Sequence, residues 1–159
     1  MRLRETAPPP FSRRQVNNNY EPVVELLLEL NAEVGAGDDH GNTPMHIAAA
    51  RGVLNIVNRL IEKSADVNAS DAAGVRPLHK ASLCSNEAVV RKLVEYGADV
   101  DVPDSEGNTA LHLAARSGSS GVVAVLLECN ANAGLKNKLK QTALDVTPAT
   151  ESATRSLLQ

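Results

Sequence analysis

The stretch Asp38-Asp39-His40-Gly41-Asn42-Thr43-Pro44-Met45-His46-Ile47-Ala48-Ala49 returns twice with its chemistry almost unchanged. It comes back as Asp71-Ala72-Ala73-Gly74-Val75-Arg76-Pro77-Leu78-His79-Lys80-Ala81-Ser82, then as Asp104-Ser105-Glu106-Gly107-Asn108-Thr109-Ala110-Leu111-His112-Leu113-Ala114-Ala115, 33 residues on each time. A second pattern keeps step with the first. Ile56-Val57 with Leu60-Ile61 and Ala65-Asp66-Val67-Asn68 is answered by Val89-Val90 with Leu93-Val94 and Ala98-Asp99-Val100-Asp101. A third copy has Val122-Val123 with Leu126-Leu127 and Ala131-Asn132-Ala133-Gly134. Weaker echoes flank these units. Val23 to Gly35 matches the second half of a unit, and Thr142-Ala143-Leu144-Asp145 falls where Thr109 to His112 stood. The chain divides accordingly into a polar Pro- and Asn-rich arm or degenerate cap (1–22), a partial unit (23–37), full units at 38–70, 71–103 and 104–136, and a degenerate capping unit at 137–159.

Within each unit the local signals are the same. Pro44 and Pro77 sit at the first position of a short helix, where a missing N–H costs nothing, and Thr43 and Thr109 stand ready to cap it. Gly52 and Gly118 end that helix by turning left-handed. A longer helix follows, with aliphatics at i, i+1, i+4 and i+5, while Asn58, Arg59, Glu62 and Lys63 fill its other face. Such a pair of helices cannot bury its apolar stripe alone, so adjacent copies must stack, and the paired alanines let them approach closely. In the last unit Pro148 falls within the first helix, which predicts a shortened cap. Arg76 in place of Thr predicts a weaker cap in the second full unit, by about 0.5–2 kcal/mol if nothing replaces the hydroxyl.

The composition narrows function. Twenty-two Ala, 19 Leu and 17 Val dominate the apolar residues, and Phe11, Tyr20 and Tyr96 are the only aromatics in a chain of formal charge −3. Nucleic-acid binding by stacking on rings in a basic groove therefore has no support. Two cysteines, Cys84 and Cys129, are too few for a disulfide framework and read as buried or incidental thiols in a reducing, intracellular setting, cytoplasmic or nuclear. No apolar run reaches membrane-spanning length. His46, His79 and His112 stand one period apart, so stacking sets them in a row rather than around one metal ion. Gly35 to Gly41 is glycine-rich but follows a helix and lacks the Lys-Ser/Thr pair of a phosphate loop, and it lacks the ligand spacing of a calcium loop. No nucleophile or carboxylate pair stands in a catalytic context, so neither enzyme activity nor a cofactor is expected.

Thr43-Pro44-Met45-His46 with Ala48-Ala49, and its two copies, resembles the ankyrin repeat, over about residues 23 to 158. The resemblance implies an all-α solenoid of stacked helix-turn-helix units joined by β-hairpin-like turns. It also implies a protein-binding module, a scaffold, adaptor or docking subunit, acting through its turn tips and the concave face of its first helices. Carried over by position, the tips are Asp39, His40 and Asn42; Ala72, Ala73 and Val75; Ser105, Glu106 and Asn108; and Lys138, Leu139 and Gln141. The helix positions are Ala50 and Arg51, Leu83 and Cys84, and Arg116 and Ser117. The middle unit thus offers Val75, Leu83 and Cys84 between two arginines, which suits a partner with an apolar anchor flanked by acids. A monomer is expected. Two further readings are an inhibitor or regulatory subunit of an enzyme such as a kinase, and an ankyrin portion of a longer multidomain protein. Leu60, with Asp66-Val67 ahead of Asn68, is also similar to the context in which ankyrin-repeat asparagines are hydroxylated by an oxygen-dependent dioxygenase.

Overall fold

The computed structural model describes residue 26, residues 28–30 and residues 32–159; the N-terminal arm expected at 1–22 lies outside them. Four helix pairs follow one another along the described chain: α1 (Pro44–Arg51) with α2 (Leu54–Glu62), α3 (Pro77–Leu83) with α4 (Glu87–Glu95), α5 (Ala110–Arg116) with α6 (Ser120–Glu128), and α7 (Ala143–Val146) with α8 (Ser152–Leu157). First helices pack on first helices in the order α1, α3, α5, α7, and second helices form a parallel row, α2, α4, α6, α8. Among the described residues there is no strand. The architecture is the expected two-layer helical solenoid, in which each unit touches mainly its neighbours.

Burial explains why the two helix types differ in sequence. A first helix packs against a neighbouring first helix and against its own second helix, and α1 buries Pro44 through Ala49 without interruption. Its small residues are what fit, and Ala48, Ala49, Ala114 and Ala115 are fully enclosed. The second helices cover one side only: Ile56, Val57 and Leu60 on α2, Val89, Val90 and Leu93 on α4, Val122, Val123 and Leu126 on α6. A fully buried aliphatic side chain contributes about 1.5–3 kcal/mol, against a net 0.5–1.5 for a typical hydrogen bond. Stacking therefore holds the fold, and the turns set its register.

The turns are built identically in all four units. Asp38, Asp71, Asp104 and Asn137, spaced by 33, each accept through Oδ1 the N–H groups two and four residues on, at 2.8–3.0 Å. Neighbouring turns are then joined by single backbone bonds, in which the N–H groups of Ala72, Ser105 and Lys138 donate to the carbonyls of His40, Ala73 and Glu106 at 2.9–3.0 Å. In the last unit the first helix stops at Val146, so Pro148 lies beyond it rather than inside it. Thr147 is extended there, at ψ 127°, because the ring of Pro148 disfavours the helical conformation in the residue before it.

Candidate functional site

The row of turns and the free sides of α1, α3 and α5 make one continuous surface, and the histidines hold its register. Nδ1 of His46 accepts the N–H of Thr43 at 3.1 Å and lies 2.9 Å from its hydroxyl, a capping box with histidine at the position where Glu or Gln is usual. That acceptor role leaves the proton on Nε2, which donates to the Val75 carbonyl of the next unit at 2.9 Å. His112 repeats both contacts, with Thr109 and with the Gln141 carbonyl. His79 keeps its bond from the Arg76 N–H at 3.0 Å but donates to Val102, six residues short of the aligned carbonyl. The cap expected to weaken in the second full unit loses only the hydroxyl contact. The Arg76 side chain turns instead to Oδ1 of Asn68 at 3.2 Å, which links the unit to its predecessor.

Burial, the largest influence, pulls the His46 and His79 imidazoles below their ordinary 6.5. For His46 it outweighs the Val75 carbonyl and the charges of Asp71 and Asp38, with Lys80 adding to it. For His79 it outweighs Asp104 and the carbonyls of Val102 and Asn108, with Arg76 adding. At Asp38, desolvation is the largest single effect and pushes upward. The bonds from the Asn42 and His40 N–H groups, the Asn42 amide and the His40 charge together outweigh it and hold the carboxyl below 3.8.

The sequence-selected residues differ in their exposure to solvent. Asp39, His40, Arg51, Leu83, Cys84, Ser105, Glu106, Arg116 and Lys138 are exposed, and Asn42 and Val75 are half-buried. Leu83 is 45% exposed, although Ala50 and Arg116 hold its place in the neighbouring units. Neither Arg51 nor Arg116 forms an ion pair among the described residues. One expectation needs correcting. Asn108 is only 6% exposed, because its Oδ1 accepts the Asn137 amide at 3.0 Å inside the stack, and so it is a strut rather than a contact. Of the two thiols, both free, Cys84 is exposed and Cys129 half-buried.

Three further residues belong to the same framework. Lys80 occupies the position of buried Ile47 and Leu113 and sets its Nζ 3.8 Å from the Asp71 carboxylate. Alignment at 33 residues would have exposed that exchange of an apolar for a cationic group. Asn86 donates through Nδ2 to the carbonyls of Ala49 and Ala50 at 2.8 and 3.0 Å, closing the end of α1 from the following unit. No one-dimensional signal marks it. Asp101, one period after Asn68, accepts the Asn132 N–H at 2.9 Å, just as Asn68 accepts that of Asp99 at 3.0 Å.

Away from this surface, Asn58, Ile61, Glu62, Lys92 and Tyr96 line an open recess of about 300 Å³ between α2 and α4. Its cation is already engaged, since Lys92 pairs with Glu95 at 2.8 Å and sits 5.3 Å from the Tyr96 ring centre. Among the described residues no three His, Cys, Asp or Glu side chains cluster as metal ligands, and no helix is long and apolar enough to cross a membrane.

Comparison with known families places a model described as ankyrin repeats, in three copies, on residues 14–104 and 54–137. A search of curated proteins found no match.

Proposed function

The chain belongs to the ankyrin-repeat family, and on that basis we propose that it is a scaffold, adaptor or docking subunit whose partner is a protein gripped by the turn row and the first helices. Ankyrin repeats are generally protein–protein interaction modules. In this reading an apolar anchor of the partner covers Leu83 and Val75, while its carboxylates meet Arg51 and Arg116 in charge-assisted bonds. The supporting observation is Leu83 itself, a large apolar side chain left 45% exposed between two arginines without acidic partners among the described residues.

The surroundings of Leu83 point the same way. On or beside α3, Arg76 replaces Thr, the Ser82 hydroxyl is buried with no hydrogen-bond partner, and Ser85 is held at φ +61°. Departures from local stability rules concentrate where function asks for something else. The test compares wild type with a Leu83→Asp/Arg116→Glu variant by affinity capture and mass spectrometry, with circular dichroism as the check on folding. Loss of the specifically captured protein is expected. An unchanged capture by a folded variant refutes the site.

The same reading places the protein inside the cell, in cytoplasm or nucleus, where its two free thiols stay reduced. It also keeps Asn68 as a hydroxylation site. That side chain is half-buried and bridges units, donating to the Gly97 carbonyl at 2.9 Å and accepting from Asp99 and Arg76. A peptide mass one oxygen heavier at Asn68, from native material, is the expected result; an unshifted mass removes the assignment.

A further inference from the structure

Charge along the turn row reverses at its last member. Turn one carries Asp38 and Asp39, turn two Asp71, and turn three Asp104 and Glu106. Turn four has no acid and carries Lys138 and Lys140, with Lys136 just ahead of it. Two aligned replacements produce this change. Asn137 stands where the other turns have Asp, and its Oδ1 still accepts the N–H groups of Leu139 and Gln141 at 3.0 Å, so the turn keeps its geometry while losing its negative charge. Lys140 stands at φ +64° where Gly41, Gly74 and Gly107 occupy the aligned places. A lysine there is strained and a glycine would not be, so the cation is present despite the backbone. Between the two outer lysines, Leu139 is 77% exposed, the largest exposure of any large apolar side chain among the described residues.

We infer that turn four is a docking point for an acidic stretch of the partner polypeptide, with carboxylates on Lys138 and Lys140 and an apolar side chain over Leu139. The inference rests on the proposed role of the turn row as a protein-binding surface and adds the partner's charge and direction. None of the three lysines is ion-paired among the described residues; the Asp145 carboxyl is held low chiefly by the Thr142 N–H and hydroxyl, with the Lys136 charge adding to them. Turns one and three, with Asp38, Asp39, Asp104 and Glu106, repel such a stretch, whereas Asp71 of turn two is paired with Lys80; turn three adjoins turn four directly, through the Lys138 N–H bonded to the Glu106 carbonyl at 3.0 Å. The acidic end of the partner is therefore placed over the fourth unit, beyond Arg116 of the third. A lipid surface fits less well, because attachment to anionic headgroups takes a cluster of about four to eight cations and this turn supplies three.

The test titrates the full, ¹⁵N-labelled chain with an acetylated and amidated octapeptide of glutamates around a central leucine, at low and at physiological salt. Amide shifts centred on residues 136–141 and an affinity that falls about tenfold with added salt are expected. The decisive variant is Lys138→Ala/Lys140→Gly, which weakens peptide binding about fivefold or more while raising the thermal midpoint, since glycine suits φ +64°. Loss of binding then cannot be ascribed to unfolding. Unchanged affinity in that variant overturns the inference. So does flotation of the chain with phosphatidylserine vesicles when the peptide produces no shifts, or low-salt self-association in which a second copy's acidic turns occupy the lysines. Leu83→Asp leaves the peptide titration unaltered while it abolishes partner capture, which separates this inference from the anchor site.

Discussion

Three backbone positions in each full unit are left-handed, and one in the last: 41, 74, 107 and 140 in the turns, 52, 85 and 118 after the first helices, and 64, 97 and 130 after the second. Glycine fills six of these ten, and Ser64, Ser85, Asn130 and Lys140 fill the rest. Asparagine tolerates that region better than serine does. Ser64→Gly and Ser85→Gly should therefore each stabilise by about 0.5–1 kcal/mol, seen as a higher urea midpoint at unchanged slope. Ser82→Ala should add about 1 kcal/mol in the same assay by removing a buried hydroxyl that has no partner. Acid acts through the histidines. Because folding lowers the His46 and His79 pKa values, the unfolded chain binds more protons, so their contribution is whole above 6.5 and is lost as pH falls through the folded values. Each can steepen the loss by up to about 1.4 kcal/mol per pH unit. Urea midpoints that stay flat from neutrality down to the carboxylate range would contradict this.

Helices show where neighbouring units depend on each other. The end of α1 is closed by Gly52, at φ +70°, and by Asn86 from the next unit. A Cβ at residue 52 would stand 2.6 Å from the Asn86 Oδ1, so Gly52→Ala meets both backbone strain and a clash. It should cost about 2 kcal/mol in wild type but only about 1 in an Asn86→Ala background, the difference being a coupling that a double-mutant cycle measures. Additive effects would show that Asn86 does not seat against Gly52. The helix pairs themselves were legible in the sequence, since Pro44 and Pro77 mark starts, Gly52 and Gly118 mark ends, and the aliphatic doublets mark the packed stripe. The early stop of α7 at Val146, ahead of Pro148, was misplaced by reading the register of earlier units onto a shorter one.

The whole molecule is a stack, so its stability is distributed along a line and each unit leans on the next. The second full unit combines Arg76, Ser82 and Ser85, and opening should begin there and at the ends. Hydrogen exchange should be faster over 77–95 than over 110–128, and Ser82→Ala/Ser85→Gly should slow it; uniform protection in wild type would count against this picture. The candidate surface was legible in outline because a 33-residue period places every turn on one edge and every first helix on one side. Its inner workings were not. The sequence by itself determined the period, the helix pairs, the aliphatic seam and the sign change from Asp38 to Lys140, all of which depend on residue type at a repeated position. Only the tertiary structure decided that Asn108 is a buried strut, that the histidines donate to the carbonyls of the following unit, that Asn86 closes α1, and that Leu83 stays open to solvent. Those facts concern atoms 23 to 37 residues apart in the chain, and it is the close stacking of units that brings them within hydrogen-bond reach or leaves them uncovered.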